Sequence, residues 1–267
     1  MTRIASGLVL LVVVIGVVGY LPSWATLALA GAVLVIAVYE YFTLVEREGE
    51  PLPRAVVLVA TAVVAVSIGY WPNGPIDVAL AAAMLVVGAL AVGSLHPGED
   101  VARHVAVALL PVLYLGVPVG AVVAVRDRWG AGALFALLFT IIASDTAQYY
   151  GGRLMGRRLL APVISPKKTV EGALTGFAAG AIALPAFGHL WLPWLPVWTL
   201  AVVGLTLVAA GIVGDLFESL LKRSAGVKDT SALIPGHGGA LDRVDSLLFA
   251  GPVYYVFLRY AALVVAP

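Results

Sequence analysis

The side chains best suited to chemistry are concentrated in one polar stretch, Gly214 to Asp245. It holds five of the fifteen carboxylates and four of the sixteen Lys and Arg residues in about an eighth of the chain. Asp215, Glu218 and Lys222 are spaced so that a helix would place them on one face, and Ser219 falls on the same face. A surface amphipathic helix would show the same spacing. Asp215, however, directly follows an apolar run, where solvation alone does not require a carboxylate.

The end of this stretch combines glycines with two further carboxylates. Three of the residues around His237 are glycines, which allow the backbone to turn sharply and to approach a ligand closely. Asp242 and Asp245 follow, one helical turn apart. Carboxylates with few His and no Cys suit a hard cation such as Mg²⁺. A lone His is more often structural, but in this setting His237 is a candidate for contacting a phosphate.

Two earlier segments carry similar chemistry. Asp145, in Ser144-Asp145-Thr146, lies at the end of a predicted membrane helix, where a carboxylate is costly and is therefore a functional candidate. The alternative is a helix-end carboxylate that reaches water.

Lys167 and Lys168 precede a helix that Thr169 is expected to cap, and ammonium groups beside a helix N-terminus suit a phosphate. The alternative is a basic loop that touches anionic lipid.

Composition shows what must hold these groups in place. The chain is 61% hydrophobic and only 12% charged, with a mean hydropathy of +1.03, whereas soluble domains average about 25% charged residues. Such a chain needs lipid as its solvent. A net charge of +1 gives no argument for nucleic-acid binding, and the absence of Cys excludes disulfides and thiolate chemistry. Neither a P-loop nor a G-x-G-x-x-G fingerprint is present.

The apolar runs predict an all-α polytopic membrane protein with about nine transmembrane helices. A span needs about twenty apolar residues. The first run is interpreted as a retained span, not a cleaved signal peptide, and Pro111 and Pro118 are expected to kink the fifth span. The nine predicted spans are Ile4–Tyr20, Trp24–Val45, Ala55–Trp71, Ile76–Val92, His104–Val125, Ala131–Tyr150, Val170–Leu192, Pro196–Val213 and Leu247–Val265.

Basic residues orient this layout in the membrane. With nine spans, thirteen of the sixteen Lys and Arg residues fall on the side of the N-terminus. The positive-inside rule then places the N-terminus and the polar segments in the cytoplasm, with the protein in the cell (inner) membrane.

We expect one integral membrane domain over residues 1–267, with a helical scaffold in 1–130 and the motif-bearing, catalytic half in 131–267. Gly172, Gly176 and Gly180 form a close-packing stripe, for an internal contact or for a homodimer.

Taken together, metal-binding carboxylates, phosphate-binding cations and glycine-rich turns indicate nucleotidyl transfer at a membrane surface, a reaction that depends on metal, cationic clamps and positioning. Two other classes compete. An ion-coupled transporter would use Asp145 and Asp215 as intramembrane cation sites, but the outer loops hold few polar groups. A membrane anchor that binds anionic lipid would explain the lysines and leave the carboxylates unexplained.

The last third of the chain resembles the phosphatidate cytidylyltransferases, also called CDP-diacylglycerol synthases. Their C-terminal signature is present with its spacing over about 27 residues, as Ser219-Leu220-Leu221-Lys222-Arg223, Lys228-Asp229, Ser231, Pro235, His237-Gly238-Gly239, Asp242-Arg243 and Asp245. The segments Ser144–Thr146 and Ser165–Gly172 also look like family motifs. Two positions depart from the pattern: Ala240 replaces a larger aliphatic residue, and Gln148 stands where a small apolar one is expected.

The resemblance implies that CTP and phosphatidic acid from the bilayer give CDP-diacylglycerol and pyrophosphate, with Mg²⁺ as the cofactor and a monovalent cation as a candidate for a second, additional ion. An isoprenoid-type lipid phosphate is the alternative acceptor. By the same resemblance Asp215 and Asp242 hold the metal, with Asp145 as a further ligand, and Asp245 and Lys222 complete the catalytic set. The residues expected to bind the phosphates are Lys167, Lys168, Ser219, Lys222, Arg223, Lys228, His237, Gly238, Gly239 and Arg243.

Overall fold

The computed structural model describes residues 2–45, 53–71, 76–96, 100–233 and 238–265. Within these ranges helices dominate, and they are joined by one short β-hairpin. In chain order the elements are α1 (Thr2–Tyr20), α2 (Ser23–Val45), α3 (Arg54–Gly69), α4 (Ile76–Ser94), α5 (Val101–Pro111), a π-helical segment (Val112–Gly116), α6 (Val117–Met155), β1 (Leu159–Ala161), β2 (Ser165–Thr169), α7 (Val170–Trp191), α8 (Val197–Ser224) and α9 (Leu241–Val265).

Five helical stretches among the described residues are long and apolar enough to cross a membrane. They are Ser23–Val45, Ile76–Ser94, Val101–Met155, Val170–Trp191 and Val197–Ser224. Two shorter apolar helices, Ser6–Tyr20 and Arg54–Gly69, accompany them. The predicted class, an all-α integral membrane protein, is confirmed. The number of nine crossings stays a prediction.

The chain folds as two compact units, and the first contains Met1–Ala124 together with Asp229–Arg243. In this unit α3 packs closely against the π-helical segment and the start of α6. A Cβ atom on Gly116 would lie 2.9 Å from the carbonyl oxygen of Thr61, and one on Gly120 would lie 2.6 Å from that of Ala65. Any larger residue at these two positions would push the helices apart. The π-helical segment directly follows Pro111, so the helix is irregular there. The predicted kink at Pro111 and Pro118 stays a prediction.

The second unit contains Val125–Lys228 and Val244–Pro267. Here α6 is broken at Gly130, whose φ of 84° favours glycine. The predicted glycine stripe on α7 is confirmed as an internal packing face. A Cβ atom on Gly172 would lie 2.7 Å from the carbonyl oxygen of Gln148 in α6, and one on Gly180 would lie 3.1 Å from that of Gly204 in α8. Because the stripe is used inside the unit, it gives no support to a homodimer, which stays untested.

The β-hairpin is the element that the sequence did not predict. Leu159 pairs with Thr169 and Ala161 with Ser165, in antiparallel order. The strands were missed because β1 has only three residues, and because β2 reads Ser-Pro-Lys-Lys-Thr, without the alternation typical of a strand. The hairpin ends where α7 begins. The predicted cap is confirmed, since the Thr169 hydroxyl accepts a hydrogen bond of 3.1 Å from the N–H of Gly172.

The predicted polar helix from Gly214 to Arg223 is also confirmed. It is the last part of α8, which runs without a break from Val197 to Ser224. Asp215 therefore lies on a helix continuous with an apolar, membrane-length segment. The segment Asp229–Arg243 belongs to the first unit, although it follows α8 in the chain. The division into a scaffold half and a catalytic half is a functional statement and stays a prediction.

Candidate active site

Three carboxylates from three helices of the second unit interact with one another. Asp145 on α6 interacts electrostatically with Asp215 on α8, and Asp245 on α9 interacts with both. We call these three residues the carboxylate cluster. Like charges at short range repel each other, and a nearby cation relieves that repulsion. The sequence had predicted all three as site residues, and the structure brings them together.

Two lysines supply part of the compensating charge. The Lys168 Nζ atom lies 2.5 Å from the Asp215 Oδ2 atom, in a partly buried ion pair. Lys222 forms an ion pair with Glu218, whose side chain is fully buried, and it also interacts with Asp245. Glu218 was noted on the polar helix face but was not predicted as a site residue. Its contact fixes the ammonium group of Lys222, because a buried carboxylate requires a charged partner.

Neutral side chains orient the cluster. Gln148 donates hydrogen bonds of 3.1 Å to the Asp145 Oδ1 atom and to the Ser144 hydroxyl. The Ser219 hydroxyl lies 3.4 Å from Asp215 Oδ1, as the predicted helix face requires. Ser246 donates its backbone N–H to Asp245 Oδ1 at 2.6 Å, and its hydroxyl hydrogen-bonds with Asp145. Gln148 was visible in the sequence only as a departure from the family pattern; the structure shows that it contacts the site.

Asp242, the other predicted metal ligand, is described within the first unit. Its Oδ2 atom accepts hydrogen bonds from the Thr230 N–H at 2.9 Å, from the Thr230 hydroxyl at 2.8 Å and from the Gly239 N–H at 2.8 Å. Gly238 has a φ of 75°, and a Cβ atom there would lie 2.6 Å from Asp242 Oδ2. The predicted sharp turn is present at Gly238, whereas the predicted approach of these glycines to a ligand stays a prediction. The role of Asp242 as a metal ligand stays a prediction.

Glu40 on α2 is a residue of this region that the sequence analysis missed. Its side chain is 2% exposed and contacts two short segments of the chain that precede Asp242. Its carboxylate accepts hydrogen bonds from the Ser231 hydroxyl and from the N–H groups of Ala240 and Leu241, at 2.6 to 3.0 Å. The Thr230 hydroxyl lies 3.0 Å from Glu40 Oε2 and shares its one proton between this oxygen and Asp242 Oδ2. The signal was a single acid near the end of an otherwise apolar helix, which is a functional candidate by default.

The remaining predicted phosphate-binding residues are exposed basic side chains. Lys167 lies on β2, Arg223 near the end of α8, Lys228 in the following loop and Arg243 in the first turn of α9; all four are exposed. The guanidinium of Arg223 donates a hydrogen bond of 3.0 Å to the carbonyl oxygen of Val227. His237 lies outside the described residues. Exposure leaves these cations accessible to an anionic ligand, but their assignment to phosphate stays a prediction.

The donors of the carboxylate cluster are of the kind that Mg²⁺ takes. They are hard carboxylate oxygens, and their mutual repulsion would be relieved by a cation. Throughout the part of the chain that the structure describes, no group of three or more His, Asp or Glu side chains forms a ready-made metal-binding set. Mg²⁺ is usually held by one or two carboxylates together with water and substrate phosphates. The cluster fits that mode of binding and does not fit an all-protein cage.

Fold and site together define an integral membrane protein in which a cluster of carboxylates lies beside two lysines, an arrangement suited to phosphate chemistry. Comparison with known proteins makes this specific: the cytidylyltransferase family matches residues 1–261. The chain therefore belongs to the cytidylyltransferase family and is a nucleotidyltransferase.

Individual relatives agree with this family. The chain is 34% identical over 266 residues to a protein of Helicobacter pylori named phosphatidate cytidylyltransferase, covering 97% of this chain and 92% of that one. A protein of the same name from Synechocystis sp. is 44% identical over 136 residues, covering 49% and 45% of the two chains. The similarity to the Helicobacter protein also includes the N-terminal half, whereas the motifs found in the sequence lie in the second half of the chain.

Proposed function

We propose that this protein transfers the cytidylyl group of CTP to phosphatidic acid, which gives CDP-diacylglycerol and pyrophosphate. Membership of the cytidylyltransferase family supports the reaction type, and the relative that covers nearly the whole chain is named for this substrate. A membrane-embedded fold suits an acceptor that stays in the bilayer. The product is a precursor of phospholipids, which places the enzyme in phospholipid biosynthesis.

One observation carries the proposal at the level of the site. Lys168, which directly precedes the capped N-terminus of α7, contacts Asp215 in the carboxylate cluster. Anion-binding groups and cation-binding groups are thus adjacent within one unit. A nucleoside triphosphate with its divalent cation requires both kinds of group at one place.

The reaction needs little covalent assistance from the protein. An oxygen of the phosphatidate phosphate attacks the α-phosphorus of CTP, and the bond from that phosphorus to the bridging oxygen of the β-phosphate breaks. The attacking phosphate is already an anion, so no strong general base is required. Lys168 and Lys222 are placed to neutralise phosphate charge, and charge neutralisation of this kind is a major source of catalysis. Pyrophosphate leaves with the electron pair of the broken bond.

The cofactor that we propose is Mg²⁺, with Asp215 and Asp242 as its principal ligands, Asp145 as a further ligand and Asp245 in support. When bound, Mg²⁺ would shield the negative charge of the phosphates and orient them for in-line displacement. Lys168 must then release Asp215 and turn to a phosphate. A second, monovalent cation and a homodimer remain hypotheses from the family resemblance and from the sequence.

We also propose that the chain crosses the membrane nine times, with its N-terminus and active site in the cytoplasm. The asymmetry of basic residues supports this arrangement. CTP would then reach the site from the cytoplasm, while phosphatidate enters sideways with its acyl chains still in lipid. In a bacterium with two membranes, the location would be the inner membrane.

The decisive assay uses the purified protein with labelled CTP, Mg²⁺ and a panel of lipid phosphates. We expect a labelled CDP-lipid and an equal amount of pyrophosphate with phosphatidate, and far less with an isoprenoid phosphate. A preference for the isoprenoid phosphate would show that phosphatidate is the wrong acceptor, and it would leave the proposed reaction type unchanged. Absence of any labelled lipid, together with cation uptake into vesicles, would favour the transporter alternative.

A further inference from the structure

Glu40 contacts the chain at two places shortly before Asp242, which lies in the first turn of α9. The Thr230 and Ser231 hydroxyls lie 3.0 and 2.6 Å from its carboxylate oxygens. The N–H groups of Ala240 and Leu241, where α9 begins, donate to it at 3.0 and 2.8 Å. A side chain on α2 therefore links two segments that lie 190 to 201 residues away along the chain.

The hydrogen bonds and the burial of Glu40 show what kind of role it has. The Ser231 hydroxyl and the Ala240 N–H donate to one carboxylate oxygen, and the Leu241 N–H donates to the other. The Thr230 hydroxyl, which has a single proton, lies within hydrogen-bond distance of both Glu40 and Asp242. Because the Glu40 side chain is only 2% exposed and is surrounded by these donors, it does not face a substrate or a metal from solvent. Its contribution must come through the residues that it holds.

Thr230 links Glu40 to Asp242. Its hydroxyl lies 3.0 Å from Glu40 Oε2 and 2.8 Å from Asp242 Oδ2, and its backbone N–H also donates to Asp242. Gly239, which donates to Asp242, lies against the Glu40 carboxylate with no room for a Cβ atom between them. The position of the Asp242 carboxylate therefore depends on Thr230 and Gly239, and both of these residues contact Glu40.

We infer that Glu40 is a positioning residue, which fixes Asp242 and the preceding residues Gly239 and Ala240 in the geometry that the reaction requires. A glutamine in its place would keep the shape but would turn an NH₂ group toward two of the donors. These residues would then lose charge-assisted hydrogen bonds, which are roughly twice as strong as neutral ones. This inference rests on the proposed function only for the role of Asp242; the coupling between Glu40 and these residues is independent of it.

The first test is hydrogen exchange of the purified protein without CTP or Mg²⁺, which reports on these residues whether or not the enzyme is active. In Glu40→Gln we expect the amides of residues 239–241 to exchange at least about tenfold faster, a change that corresponds to the loss of one charge-assisted hydrogen bond. Peptides from α7 should exchange as in the wild type. Unchanged exchange of residues 239–241 would overturn the inference.

The second test separates positioning from a merely structural effect. We expect Glu40→Gln to lower kcat by about tenfold or more and to raise the Mg²⁺ concentration needed for half-maximal activity. A structural effect alone would reduce the amount of active enzyme and leave its Mg²⁺ requirement at the wild-type value. That second outcome would count against the inference. If the wild type shows no cytidylyl transfer, the proposed function fails and the exchange experiment still decides the positioning.

A milder variant and its control keep the inference testable if Glu40→Gln does not fold. Ser231→Ala removes one hydrogen-bond donor to Glu40, and we expect the same changes in exchange and in Mg²⁺ requirement, each smaller. Thr140→Val is the matched control, since this buried threonine donates only within its own helix, to the carbonyl of Ala136 at 2.6 Å. Equal effects from Ser231→Ala and Thr140→Val would contradict a specific role for Glu40.

Discussion

Lys168 and Asp215 form an ion pair that joins the N-terminus of α7 to the polar end of α8, with 2.5 Å between the Nζ and Oδ2 atoms. An ammonium group beside a helix N-terminus faces the positive end of the helix dipole, which is unfavourable by itself. Asp215 compensates for this charge in the protein without substrate. The same lysine and helix end can then accept a phosphate when the carboxylate is taken up by a cation.

The first prediction concerns this ion pair. We expect Lys168→Ala to lower kcat/KM for CTP by about 10²-fold to 10³-fold, because a preorganised charge facing the leaving phosphates is lost. The variant Arg158→Ala serves for comparison, since Arg158 is exposed, directly precedes β1 of the same hairpin and is not among the predicted phosphate-binding residues. Its effect should be much smaller. Steady-state kinetics with labelled CTP measure both variants, and equal losses would refute a special role for Lys168.

The second prediction concerns the proposed metal ligands. Asp215→Asn and Asp242→Asn should each abolish the Mg²⁺-dependent release of pyrophosphate from CTP and phosphatidate, because the amide is a weaker ligand and carries no charge. Asp77→Asn, an exposed acid in the first turn of α4, is the control and should retain activity. Full activity in Asp215→Asn or in Asp242→Asn would exclude that residue as a metal ligand.

The third prediction concerns the close packing of α6 against α7. A Cβ atom on Gly176 would collide with the side chain of Gln148 and lie 3.1 Å from the Ser144 hydroxyl. Gly176→Ala should destabilise the protein by about 1–3 kcal/mol through overpacking, and it should also lower activity, because Gln148 contacts Asp145. Thermal unfolding in detergent measures the first effect. Gly88→Ala is the control, since a Cβ atom there meets nothing within 4 Å; a similar loss in this variant would contradict the packing argument.

The fourth prediction concerns the start of α7. Thr169→Ala removes the hydroxyl that accepts the Gly172 N–H, and loss of such a cap costs about 1 kcal/mol. Thr169→Ser keeps the hydroxyl and should behave like the wild type. The comparison is made by the midpoint of denaturant unfolding. A serine variant as unstable as the alanine variant would show that the methyl group, not the cap, is what matters.

The fifth prediction tests orientation in the membrane, and it uses the absence of Cys from the chain. Single cysteines at Ser224 and at Pro193, both exposed positions, are placed on opposite sides by the nine-span arrangement. A membrane-impermeant maleimide added to intact expression-host cells should label Pro193→Cys and not Ser224→Cys. In broken cells both should react. Labelling of Ser224→Cys in intact cells would reverse the proposed orientation.

Local patterns in the sequence were enough to predict the class of protein and several details. An apolar composition requires lipid, helical spacing places Asp215 and Ser219 on one face, and Thr169 before a helical run predicts the observed cap. Composition is a property of the whole chain, and the other two features depend on neighbours within about one helical turn. The sequence alone therefore contains the information for all three. The β-hairpin was not predicted, because its strands are too short to show the alternation of apolar and polar residues typical of a strand.

Contacts between distant segments were decided only by the tertiary structure. The sequence could nominate Asp145, Asp215 and Asp245, but only the packing of α6, α8 and α9 brings their charges together. Glu40 stands alone in an apolar helix, and nothing near it in the chain reveals that Ala240 and Leu241 donate to it. The reason is physical: a buried carboxylate is satisfied by whichever donors the fold brings to it, and their identity depends on how helices pack, not on the residues beside it in the chain.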